Sequence, residues 1–158
     1  MPTTSSTTTS DRIEKQIQLD SPRSRVWRAL TDTKQFGQWF GVALEGAFKP
    51  GAPTSGKMTH KGWEHVSFEV IVEKMEPERF FSFRWRPYAI EPNVDYSKEP
   101  RTLVAFTLEE VDGGTVLTVV ESGFDGIPAS RREKAFEMDS KGWASQMGNI
   151  KKYVAEHP

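Results

Sequence analysis

The chain contains no cysteine. That absence excludes disulfides, thiolate zinc sites, iron–sulfur clusters and thiol catalysis together, and it fits a reducing, cytoplasmic setting. Histidine is scarce too, with only His60, His65 and His157. No two of them stand four apart, no HExxH occurs, and no carboxylate motif accompanies His60 and His65, so no metal site is expected. There is no excess of one charge: 21 basic residues against 22 acidic ones leave a formal net charge of −1. Nothing in that balance would hold nucleic acid or an anionic membrane surface. Long hydrophobic runs are missing as well, since the longest is Trp39 to Leu44, so no membrane insertion is expected. No basic segment leads into an apolar core, so no signal peptide is expected. There is no GxSxG elbow and no glycine-rich loop opening a helix, which leaves nucleophilic and phosphoryl-transfer chemistry without a motif. No cofactor is expected.

What is abundant is aromatic: ten Phe, five Trp and three Tyr in 158 residues. Rings in that number build a core, line a pocket, or do both. The length suits one domain able to bury a core without staples. Residues 2–10, PTTSSTTTS, are Ser and Thr throughout after the proline. Such a segment cannot bury apolar surface, so 1–10 is expected to be a disordered tail and 11–158 the domain.

Periodicity then orders the elements. RIEKQIQLD alternates Ile13, Ile17 and Leu19 onto one strand face, interrupted by Lys15, which suggests a strand near an edge. Ser21-Pro22 reads as a helix start, with Ser as N-cap and Pro in the first turn, followed by Val26, Trp27 and Leu30 at helical spacing. Asp32 is placed to cap a second short helix carrying Phe36, Trp39 and Phe40. Strands are expected at Val42–Phe48, Gly56–Lys61, His65–Met75, Arg79–Arg86, Thr102–Val111 and Thr115–Gly123. The turns Met75-Glu76-Pro77-Glu78 and Asp112-Gly113-Gly114 join them as antiparallel hairpins. A last, long helix carries one stripe of Phe136, Trp143, Met147, Ile150 and Val154, with Ser130 and Glu133 at capping-box spacing. Gly142 interrupts it, which close approach of a neighbouring backbone would explain. The helix is the element long enough to cover an aromatic antiparallel sheet, and a pocket would lie between the two.

Few residues carry chemistry. Most carboxylates sit at solvated positions, but Glu121 shares the parity of Leu117 and Val119. Facing inward, it is a carboxylate in an apolar cavity with a raised pKa, fit for general acid–base work or for anchoring a ligand hydroxyl. With the other parity it meets solvent or pairs with an arginine. Arg84 and Arg86 alternate with Phe83 and Trp85 and are read as solvent-facing. Arg23, Arg25 and Arg28 are read as a solvated helix face. Tyr88 and His65 are weaker catalytic candidates. The segment 87–100, PYAIEPNVDYSKEP, is longer than a hairpin needs. Its Tyr88, Ile90 and Tyr96 either close over a cavity mouth or belong to a surface excursion.

The ordered set SPRSRVWRALTDTKQFGQWF at 21–40, FSFRW at 81–85, TLVAFTLEEVDGGTVLTVVESGF at 102–124 and GWASQMGNIKKYV at 142–154 resembles the START-like (SRPBCC, Bet v-type) superfamily. Within it, the chain is most similar to the activator of heat-shock-protein ATPase homologue (AHSA) type. The resemblance implies an α+β helix-grip fold: about seven antiparallel strands in a curved sheet wrapped around the C-terminal helix, two short helices after the first strand, and an internal hydrophobic cavity. It implies binding of a small hydrophobic or aromatic molecule there, with Trp39, Phe83, Trp85, Phe106, Trp143 and Met147 as ligand contacts. Taken singly, each of these also suits a core. Two other readings follow from the resemblance. One is a cyclase, dehydratase or hydrolase using Glu121, in which Glu121→Gln would abolish turnover and leave stability nearly intact. The other is a co-chaperone-like or stress-response interaction domain with a protein partner. Co-chaperone members act through additional sequence beyond this domain. Monomer and homodimer both remain open.

Overall fold

The structure is a computed structural model, and residues 12–59, 61–87, 95–96 and 98–158 are described. The order is β1 (Arg12–Leu19), α1 (Arg23–Thr31), α2 (Thr33–Phe40), β2 (Val42–Glu45), β3 (Pro53–Met58), β4 (Ser67–Glu76), β5 (Phe80–Trp85), β6 (Thr102–Val111), β7 (Gly114–Ser122), a single 3₁₀ turn at Phe124–Gly126, and α3 (Ala129–Glu156). The seven strands form one antiparallel sheet in the order β1-β7-β6-β5-β4-β3-β2. Consecutive strands from β2 to β7 are therefore neighbours, and β1 closes onto β7 at the edge that Lys15 suggested. A bulge between Val72 and Lys74 shifts the β4–β5 register and adds curvature. This is the expected helix-grip arrangement.

Alternation decides the inner face. Phe81 and Phe83 on β5, Val104, Phe106 and Leu108 on β6, and Leu117 and Val119 on β7 are all buried, as are Trp143, Met147, Ile150 and Val154 on α3. The two short helices close the far end. Phe36 sits among Trp39, Phe40 and Phe48, with ring centroids 4.9–5.5 Å away. The Trp39 indole N–H donates to the Ala29 carbonyl at 2.8 Å, which ties α2 to α1.

Four expectations need correction. Pro22, not Ser21, is the N-cap of α1: its extended ψ presents its carbonyl to the N–H groups of Arg25 and Val26, and no side chain caps the helix. Pro128 does the same for α3, which places Ser130 inside the first turn and leaves no capping box with Glu133. Arg25 is not solvated. It is 6% exposed, donates to the His157 carbonyl at 2.5 Å and to Gln35 Oε1 at 2.8 Å, and lies over the Tyr153 ring. Gly142 is not pressed by a backbone: a Cβ there would meet no described atom outside its own helix within 4 Å. The Asp32 cap of α2 is as expected, accepting from the N–H groups of Lys34 and Gln35. Strand limits also move, with β2 ending at Glu45 because Gly46 turns at φ +82°.

Candidate functional site

Three strand ends meet at one side of the sheet. Trp85 is the last residue of β5, Thr102 the first of β6, and the two are paired across the ladder. Glu121 is one residue from the end of β7, opposite Val104 on β6 and Ile13 on β1. Parity with Leu117 and Val119 turns Glu121 inward, and it is fully buried. The alternation that makes β7 a strand thus places a carboxylate in the core.

Helix α3 crosses above these ends. Asp139 and Trp143 stand four apart, so they share the face aimed at the sheet. Trp143 donates its indole N–H to Glu121 Oε1 at 2.8 Å. Trp85 donates to Oε2 at 2.8 Å, and the Thr102 hydroxyl donates to the same oxygen at 2.6 Å. The two indoles stack with centroids 5.6 Å apart and planes 26° from parallel. A carboxylate has about four lone-pair sites, and these donors fill three of them.

The fourth involves Asp139. Its Oδ2 is closed to solvent and has no donor among the described residues. Its neighbour is another carboxyl, so a shared proton is what satisfies both. Burial holds the Asp139 carboxyl well above the usual carboxylate range. The charge of Glu121 beside it, and the hydrogen bond to Glu121, push it further, while Arg131 draws it back. Asp139 is thus a carboxyl that keeps its proton to higher pH than a free one, with Glu121 as its neighbouring acceptor. Arg131 itself is engaged by Glu99 in a two-pronged contact with distances of 2.6–3.1 Å.

In front of this pair lies a cavity of about 230 Å³. Phe40, Trp63, Trp85 and Trp143 supply ring walls, Met58 and Met138 supply thioethers, and Asp139 supplies a polar wall. It opens into a wider cleft of about 870 Å³ between α2, the end of β3 and α3. Phe40, Met58, Trp63, Gly142 and Gln146 border both spaces, so they form the passage between them. Gln146 is held there by its amide N–H to the Phe40 carbonyl at 2.9 Å.

The expected site residues divide. Trp85 and Trp143 line the inner cavity, and Trp39 lines the outer cleft. Phe83, Phe106 and Met147 are buried in the packed interior and line neither space. Tyr96 lies under the Arg131 guanidinium, 4.8 Å from its ring centroid, rather than at the passage. Tyr88 and Ile90 lie outside the described residues, as does His60. His65 is exposed on the β3–β4 connection. Among the described residues no group of three His, Asp or Glu side chains could hold a metal ion.

Asp139, Thr102 and Trp63 are site residues that sequence reasoning missed. Asp139 left a trace: it falls three residues after Phe136 and four before Trp143, an acid inside an apolar stripe. Thr102 and Trp63 left none, because a strand start and a turn carry no periodicity.

Comparison with known proteins agrees with this architecture. The model for the activator of Hsp90 ATPase homolog 1-like family matches residues 20–155. No curated protein matches. Among solved structures, protein MLL2253 from Mesorhizobium loti superposes with a TM-score of 0.73 at 20% identity, covering 93% of this chain and 98% of that one. DynU16, a protein of the dynemicin biosynthetic locus, reaches 0.70 at 27% identity over 92% of this chain and 47% of that one. The Aha1 dimer from Colwellia psychrerythraea reaches 0.67 at 18% identity over 90% and 95%. With most of its length matched and the helix-grip architecture in place, the chain belongs to the activator of Hsp90 ATPase homolog 1-like family, within the START-like fold.

Proposed function

We propose that this protein binds a small hydrophobic or aromatic molecule between the sheet and α3. One observation carries the reading. An open cleft narrows through the Phe40–Gly142 passage, bordered by Gln146, into an aromatic cavity with the Asp139 carboxyl on its wall. Concave, mostly apolar sites with few convergent polar groups are the usual form of a small-molecule site. Similarity to DynU16, a protein of a biosynthetic locus, is consistent with a small-molecule ligand.

An amide chemical-shift titration against flavonoids, fatty acids, sterols and aromatic polyketide fragments tests this. The expected result is saturable shifts confined to residues 38–41, 58–63, 85 and 138–146. Absence of saturation with every class overturns it.

A second reading, acid–base catalysis, moves from Glu121 to Asp139. Glu121 is sealed off and its oxygens are engaged by Trp85, Thr102 and Trp143. Asp139 holds a proton at the cavity wall, and it is the group through which a bound molecule could exchange one.

A further inference from the structure

The carboxyl pair at the end of the cavity has a charge balance that the fold leaves unusual. Glu121, fully buried, meets Asp139, half-buried at the cavity wall. Their charge is met by indole N–H groups, a hydroxyl and one proton, all but the proton being neutral donors. Buried carboxylates ordinarily find a cation, and among the described residues no basic side chain makes an ion pair with Glu121 or Asp139. Arg131 on α3 is within electrostatic range of Asp139, but its guanidinium is committed to Glu99 and to the Pro87 carbonyl. Among the described residues the other elements around the pair bring no basic group to the cavity. β5, β6 and α2 contribute Trp85, Thr102 and Phe40. The β3–β4 connection contributes Trp63, beside which Glu64 and His65 are exposed.

The walls point the same way. Phe40, Trp63, Trp85 and Trp143 surround the space in front of Asp139. Aromatic faces carry the negative lobe of the ring quadrupole and attract a cation, most strongly when both are removed from water. The methionine sulfurs of Met58 and Met138 are polarizable and neutral, so they add nothing against a positive charge. Asp139 lines the cavity, and its Oδ2 is buried with no hydrogen-bond partner among the described residues.

We propose that the inner cavity is a site for a small organic ammonium with an aromatic or apolar body, its charged head on Asp139 within the ring walls. This deepens the ligand-binding reading above and rests on it. The ammonium takes the place of the proton that Asp139 holds. That proton leaves to solvent as the cation enters, so the pair itself becomes one charge more negative, the pair and bound ammonium together carry the same net charge as the protonated pair, and no covalent bond forms. A neutral apolar molecule makes no such exchange.

The probes are 2-phenylethylamine and its neutral isostere 2-phenylethanol, titrated into the intact protein by calorimetry. Buffers of different ionisation enthalpy count the protons released. The expected result is amine affinity at least about tenfold above that of the alcohol where Asp139 is ionised, with proton release per amine that rises towards one as pH is lowered and none per alcohol at any pH. An alkylammonium, like that of lysine, stays protonated to about pH 10. Below the Asp139 pKa the amine affinity should therefore fall by about tenfold per pH unit, while that of the alcohol stays flat. Asp139→Asn should remove the proton release and the amine preference over the alcohol. The wild-type proton count needs no variant, so the test survives a poorly folding substitution. Amine binding no tighter than alcohol binding, or binding without proton release at any pH, overturns the cation site. Saturable alcohol binding in that case leaves the cavity reading standing. If neither probe binds at any pH, and the broader panel also fails to saturate, both readings fall.

Discussion

The indole N–H of Trp143, in the middle of α3, donates to Glu121 Oε1 near the end of β7 at 2.8 Å. This bond joins the gripped helix to the sheet through a carboxylate that is fully buried. Glu121 accepts from Trp85 and Thr102 as well, so one side chain holds β5, β6, β7 and α3 together.

That role sets the first prediction, and it revises an expectation from sequence. Glu121→Gln cannot leave stability intact. The amide has one acceptor oxygen and an NH₂ that would face an indole N–H or a hydroxyl donor. Leaving a buried donor unmatched costs about 1–3 kcal/mol, and more where a charged acceptor is lost. We expect a loss of about 3 kcal/mol. A urea midpoint shift at unchanged slope would measure it. A midpoint equal to wild type would remove Glu121 from the structural role.

The second prediction concerns pH. The Asp139 carboxyl sits well above the usual carboxylate range in the folded protein, chiefly through burial and then through Glu121. The unfolded chain restores an ordinary value near about 3.9. A group with a raised folded pKa stabilises fully below the unfolded pKa, and that contribution is lost as pH rises through the folded pKa. Stability should therefore decline from mildly acid towards alkaline pH by way of Asp139. Asp139→Asn keeps a donor for Glu121 and cannot ionise. Its melting temperature should match wild type below about pH 4 and exceed it increasingly as pH rises above that. Parallel pH profiles for the two proteins would show that Asp139 is not the responsible group.

Much of this was legible in the chain. Val66, Phe68, Val70 and Val72, or Val104, Phe106 and Leu108, announce strands because one sheet face is buried, and a period of two follows. The same parity placed Glu121 inward as one of two options, and tertiary burial selects it. The rest was hidden for physical reasons. Asp139 matters through Glu121, eighteen positions earlier, and that meeting exists only once α3 lies across β7. Arg25 reads as solvated in a helix full of arginines, yet the C-terminal His157 carbonyl returns to cover it. Pro22 and Pro128 displaced the capping residues by one or two positions, a choice made by backbone ψ rather than by side-chain type.

The third prediction tests how α2 sets the cavity wall. Gly37 lies where a Cβ would come 2.1 Å from the Val42 carbonyl oxygen. Backbone atoms cannot yield as a flexible side chain can, so Gly37→Ala must push α2 off β2. Overpacking of this kind costs about 1–3 kcal/mol. Because Phe40 is one turn further along α2 and borders the passage, the loss of stability should come with amide shift changes at Met58, Trp63 and Gln146. A stable variant with an unchanged spectrum would show that α2 tolerates the methyl in place.

The fourth prediction separates fold from function at one residue. Gly142 is exposed within α3, borders both cleft and cavity, and has open space where a side chain would project. Its helix penalty is about 1 kcal/mol relative to alanine. Gly142→Ala should recover most of that, raising the thermal midpoint. A glycine that weakens the helix while nothing crowds it is consistent with a role in keeping the passage open. Gly142→Leu retains a good helix former and puts a branched side chain into that passage. We expect the Leu variant to be at least as stable as wild type and to lose saturable shifts with any ligand that saturates wild type. If Gly142→Leu binds as wild type does, ligands do not enter between Gly142 and Phe40, and the route into the ring-walled cavity lies elsewhere.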